Sequence, residues 1–280
     1  MGRVGVLEAL IVSFIGTWVY ELNRQLIMRY ALDFGGSIGI FCFGGFYGAS
    51  ISVISYCYKH KRTAQEHEVR VAGKFSYTLV GVGALFCWML FPFLSTDIPA
   101  SLIYYNQAAI STFYCISACV LTCVGLSSLI TGQLDLKDFL YSPVVGGVIV
   151  GSSAGYINNS GGAIILGIIG GVLHVFLQRW ENKIKWYFLI ENNVLFIFGI
   201  QGMIGGFLSA IFNKIALDHN SSAYPTVAPY ILPSQSGQLS ATGFTIAIAI
   251  AAGLFVGIVI NMLTKEVPSD HYHDRAYWIT

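Results

Sequence analysis

The chain has 280 residues, 55% of them hydrophobic and 10% charged, against about 25% charged residues in an ordinary soluble domain. A soluble protein this apolar would have too little polar surface to cover its core. The net charge is +1 and the basic residues are scattered, with no patch of interleaved aromatics, so no nucleic-acid partner is expected.

A membrane span needs about 20 mostly apolar residues, and the chain reads as eight such stretches in an all-α bundle. The first lies near residues 5–24 and carries Glu8 and Glu21 near its two ends, where both are expected to be solvated. The second, near 35–57, is preceded by Asp33, whose carboxylate suits the positive end of a helix dipole as a cap. The third and fourth lie near 73–94 and 101–130. Within the fourth, Cys115, Cys119 and Cys123 are four residues apart and share one helical face. They read as a packing stripe, because no histidine or CxxC pair accompanies them. The fifth and sixth spans, near 142–157 and 161–178, are divided by Asn158, Asn159, Ser160 and two glycines, a turn signal. His174 stands alone in the sixth and reads as a hydrogen-bonded packing residue. The seventh, near 188–214, opens on Glu191, Asn192 and Asn193, and the eighth lies near 239–263.

Eight spans put both termini on one side. Every Lys and Arg except Arg24, Arg29 and Lys214 then falls on that side, the sorting of the positive-inside rule. Residues 1–263 form one transmembrane domain, and 264–280 form a tail on the positive-inside side. Glycine pairs such as Gly44–Gly45, Gly146–Gly147 and Gly205–Gly206 let helices approach closely. There is no small-residue cleavage site and no Arg- and Ser-rich leader, so no cleavable signal is expected. No nucleophile–base pair, metal spacing or phosphate loop appears, so neither an enzyme nor a cofactor is expected.

Several stretches resemble Rhesus-type members of the ammonium transporter family. Asp33-Phe-Gly-Gly-Ser-Ile-Gly-Ile-Phe-Cys-Phe-Gly-Gly-Phe-Tyr-Gly48 is similar to the family's D-A-G-G-S-M-T-I-H-T-F-G-A-Y-F-G. Leu85-Phe-Cys-Trp-Met89, Ala108-Ala-Ile-Ser-Thr-Phe-Tyr114, Gly146-Gly-Val-Ile-Val-Gly151 and, in the tail, Pro268-Ser-Asp270 with Tyr277-Trp278 also match, in order. The resemblance implies a trimer-forming fold whose subunits each hold a hydrophobic ammonia pore. Two hydrogen-bonded histidines line that pore, an aspartate sits near its outer end, and phenylalanines gate its mouth.

Carried over by position, the aspartate is Asp33, and the two pore histidines fall on Phe41 and Phe198. The gate phenylalanine falls on Leu94, or on Phe93 with a one-residue shift; a family proline becomes Gln201, and Tyr141 replaces an asparagine. The first span matches the helix before the aspartate loop, so about three family helices have no counterpart. Phenylalanine offers neither donor nor acceptor, so the expectation is a fold that has lost transport and serves as a structural subunit, with other membrane chains or lipid covering the open face. The alternatives are an ammonia or gas channel with a purely hydrophobic path, and a sensor that docks a partner on its tail. A multi-pass position in the mitochondrial inner membrane is expected from this pattern of decay, with the plasma membrane as the family's alternative.

Overall fold

A computed structural model describes residues 6–59, 74–96, 102–133, 135–157, 159–183, 194–219 and 234–263. The tail 264–280, the Glu191–Asn193 segment and Asn158 lie outside the described residues. The described part is helical throughout. The elements are α1 (Val6–Tyr30), α2 (Phe43–Lys59), α3 (Lys74–Leu94), α4 (Leu102–Thr131), α5 (Leu136–Val150), α6 (Ser160–Lys183), α7 (Gln201–His219) and α8 (Gln235–Leu263). A wide π-helical turn, Ser37–Cys42, leads into α2, and a second, Leu195–Ile200, leads into α7. A 3-10 turn, Gly151–Ser153, follows α5.

Each expected span holds one of these helices. Five helical stretches are long and apolar enough to cross a bilayer, and Thr78–Leu94 is a shorter apolar one. The two remaining helices differ for readable reasons. α1 carries Glu8, Glu21, Arg24 and Arg29 along its 25 residues. α5 has only 15 residues, about 22 Å at 1.5 Å per residue, short of a hydrocarbon core of about 30 Å. It begins earlier than expected because the Asp135 carboxylate accepts from Lys137 N at 3.0 Å and caps it.

Packing follows the small residues. α4 lies against α5 and α6, and α2 lies against α8. Cys115, Cys119 and Cys123 are fully buried on the inner face of α4. The Cys115 thiol donates to Gly146 O at 3.4 Å and the Cys123 thiol to Gly171 O at 3.7 Å. The stripe thus packs α4 onto glycines of α5 and α6, where van der Waals contact replaces the missing hydrophobic force. Leu10, Phe14 and Trp18 of α1 and Phe86, Met89 and Leu90 of α3 stay exposed, the pattern of a lipid- or protein-facing surface.

Glu21 behaves as expected, paired at 2.8 Å with Arg24 on the exposed side of α1. Glu8 does not: it is 5% exposed.

Candidate functional site

The centre of the bundle is built from the two π-helical turns. Asp33 organises the first. Its Oδ2 accepts from Ile38 N at 3.1 Å and Gly39 N at 2.6 Å, and its Oδ1 accepts from the Ser152 hydroxyl at 2.6 Å. Desolvation raises its pKa from the ordinary carboxylate value, against the pull of Ser152 and the backbone amides of Gly39, Ile38 and Ser37. Gly36 enters the turn at φ 76°, in the left-handed region open to glycine. The turn is then fastened to the 3-10 segment after α5. Gly35 N donates to Gly151 O at 2.9 Å. The Ser37 hydroxyl donates to Val148 O at 2.6 Å and accepts from Ser152 N at 2.7 Å.

The second turn crosses the start of α2, just past the first turn, at very short range. A Cβ on Gly45 would lie 2.3 Å from Gly199 N and 2.4 Å from Gly199 Cα, so only glycine allows the two backbones to meet there. That crossing brings Phe41 and Phe198 together. Their rings stack with centroids 5.7 Å apart and planes 12° from parallel. Phe91 of α3 adds a third ring, 5.7 Å from Phe41 and tilted by 33°. Trp88, Ile116, Val144 and Val148 pack around this column. Offset aromatic pairs at such spacings are held by about 0.5–1.5 kcal/mol beyond their area burial.

Chemically the column is inert. The three rings carry no donor or acceptor, and the side chains clustered with them are hydrophobic. Among the described residues no three His, Cys, Asp or Glu side chains gather as a metal site. Trp88, packed on the column, has a buried indole Nε1 without a hydrogen-bond partner, and Gln201 is fully buried at the start of α7. Its Nε2 donates to Gly170 O at 3.4 Å and its Oε1 has no partner.

The matches with known proteins fit this geometry. A family description, "Ammonium Transporter Family", matches residues 3–272. The chain belongs to the ammonium transporter family. It is 27% identical over 297 residues to the ammonium transporter Rh type C of Gasterosteus aculeatus, and 27% identical over 301 residues to that of Homo sapiens. These matches cover 99% of this chain but 60% and 61% of those relatives, so the chain spans about three fifths of their length. In three dimensions it resembles Rh50 of Nitrosomonas europaea, of the Rhesus protein family of channels, with TM-score 0.75 and 24% identity over 100% of this chain and 69% of that one. Mep2 of Candida albicans matches at TM-score 0.71 and 17% identity, over 93% of this chain and 59% of that one. The chain is therefore a multi-pass membrane protein with the ammonium transporter fold.

Within that fold, Phe41 stacks on Phe198, and Asp33 caps the turn that carries Phe41. Phe93 and Leu94, the expected gate region, are 64% and 38% exposed near the end of α3. Phe91 of the same helix packs on Phe41. His174, expected to stand alone as a hydrogen-bonded packing residue, is buried with its Nε2 3.8 Å from Asp138 Oδ1 and without a hydrogen-bond partner. Asp138 drew no notice in the sequence because its partners lie on a different helix.

Proposed function

We propose that this ammonium transporter family member no longer conducts ammonia and serves as a structural subunit of a larger membrane assembly. The stack of Phe41 on Phe198 carries the reading. By resemblance these are the positions of the pore histidines, and here two apolar rings fill them in contact, with Phe91 beside them. An ammonia molecule crossing that column would give up its hydrogen bonds unreplaced, a cost of about 2–7 kcal/mol for a polar group. The rings would also have to part.

The assembly half of the reading is supported by the exposed apolar faces of α1 and α3. The proposed occupants of those faces are other membrane subunits, or second copies in a homotrimer, together with lipid. The expected mitochondrial inner membrane draws no support from relatives named as Rh type C ammonium transporters, and the reading does not depend on it.

The deciding experiment is stopped-flow fluorimetry of proteoliposomes loaded with a pH dye and challenged with an ammonium gradient. Alkalinisation at the rate of protein-free liposomes is expected; a clearly faster rate refutes the loss of conduction. Native electrophoresis of membranes from cells that make the protein should place it in a species much heavier than 30.5 kDa. Migration as a lone chain would refute the subunit role. One observation favours a second reading, conduction through a purely apolar path: the Asp33 capping network is intact. A saturating, protein-dependent flux would select it.

A further inference from the structure

Where α4, α5 and α6 meet, at the end bearing Lys137 and Arg179, the bundle encloses a polar cluster that the aromatic column does not use. Asp138, in the first turn of α5, is 0% exposed. Its Oδ2 accepts from Arg179 Nη1 of α6 at 3.2 Å. Arg179 also donates to Val175 O at 3.0 Å and to the Ser127 hydroxyl of α4 at 3.3 Å. The carboxylate and guanidinium neutralise each other and tie three helices together.

The other side of this ion pair is unfinished. Asp138 Oδ1 has no hydrogen-bond partner. Facing it at 3.8 Å is His174 Nε2, on a side chain 1% exposed and also without a hydrogen-bond partner. That gap exceeds the limit of about 3.2 Å for an N–H···O bond. One turn along the same face of α6, Gln178 is 7% exposed and its Oε1 is unpartnered too. The Tyr141 ring stands edge-on to His174, with centroids 6.5 Å apart. Tyr141 and Phe198 pack on the same apolar cluster, so the polar cluster adjoins the aromatic column.

Buried polar atoms are paired with protein or with a small bound molecule in nearly all native interiors. We infer that Asp138, His174 and Gln178 form a binding site for one small hydrogen-bond donor of the size of water or an ammonium ion. Two of the unpartnered atoms are acceptor oxygens. The third, Nε2, accepts when the ring proton sits on Nδ1. A molecule with several N–H or O–H groups satisfies all three, whereas an anion meets two acceptor oxygens. A metal ion would find one imidazole and one carboxylate already held by arginine. The assignment holds whether or not the aromatic column conducts.

The test is 15N NMR of the full chain, histidine-labelled, in lipid nanodiscs, with the His174 signals assigned by their loss in His174→Gln. Wild-type Nε2 is expected at the shift of a hydrogen-bonded acceptor. A saturable change with ammonium chloride, absent with potassium chloride, identifies ammonium. A bonded signal that exchanges magnetisation with water and ignores ammonium identifies water. Asp138→Asn and Gln178→Leu should each move the signal toward the free-ring position. Gln178→Leu leaves the ion pair intact and serves where Asp138→Asn fails to fold. An unbonded Nε2 in the wild type, or a bonded one that a folded variant leaves unmoved, overturns the site.

Discussion

Gly44 and Gly45 are neighbours in sequence, yet replacing each with alanine should give opposite results. A Cβ on Gly44 meets nothing within 4 Å. A Cβ on Gly45 falls 2.3 Å from Gly199 N, which is 1.1 Å short of the 3.4 Å where ordinary contact begins (3.4 − 2.3 = 1.1). Overpacking a core costs about 1–3 kcal/mol when side chains can yield. Here the atoms struck are backbone on a crossing element, so the upper end, about 3 kcal/mol, is the expected cost. At roughly 2 °C per kcal/mol for a chain of this size, Gly45→Ala should melt about 6 °C lower. Gly44→Ala should match the wild type or exceed it, because alanine has the better helix propensity. The assay is thermal unfolding in detergent micelles, read by intrinsic fluorescence. The same Cβ would press on Phe198 C at 3.2 Å, so the Gly45 variant should also disturb the stacked rings. Equal melting of the two variants would refute the crossing and the account of the aromatic column built on it.

Asp33→Asn leaves one acceptor oxygen where the carboxylate serves three donors, and should cost about 1–3 kcal/mol in the same melting assay. Arg179→Met strands the buried Asp138 charge and should cost about 3–5 kcal/mol, while Asp138→Leu with Arg179→Met should recover most of the loss. Phe41→His with Phe198→His restores donor and acceptor to the centre. Proteoliposome flux should rise above the wild type if the phenyl rings are the block, and a folded double variant with no gain would place the block elsewhere.

The helices were legible because a span needs only length and apolarity, and both can be read along one chain. The positions Asp33, Phe41 and Phe198 came from resemblance, and the backbone crossing that stacks the two rings is a tertiary fact. Two kinds of feature stayed hidden. Phe91 was hidden because no motif marks it and its contact with Phe41 joins two elements far apart in sequence. The Asp138–His174–Arg179 cluster was hidden because it joins α5 to α6 across 41 residues between Asp138 and Arg179, and no local pattern announces a contact between helices. α5 was misjudged at its start because the cap of a short helix, Asp135, outweighed the apolar run that marked the expected span.

The two six-residue π-helical turns also act as stores of chain length. Each holds more residues per turn than an α-helix, and each sits immediately before a long helix, α2 or α7. Removing one residue from Ser37–Cys42 or Leu195–Ile200 would let the turn rewind as α-helix, with the helix beyond it still in phase because the wide turn held the surplus residue. The helix would keep its face to the bundle, and only side chains within the turn would be redirected. Single-residue deletions in these turns therefore probe the centre of this fold without disturbing the helices that enclose it.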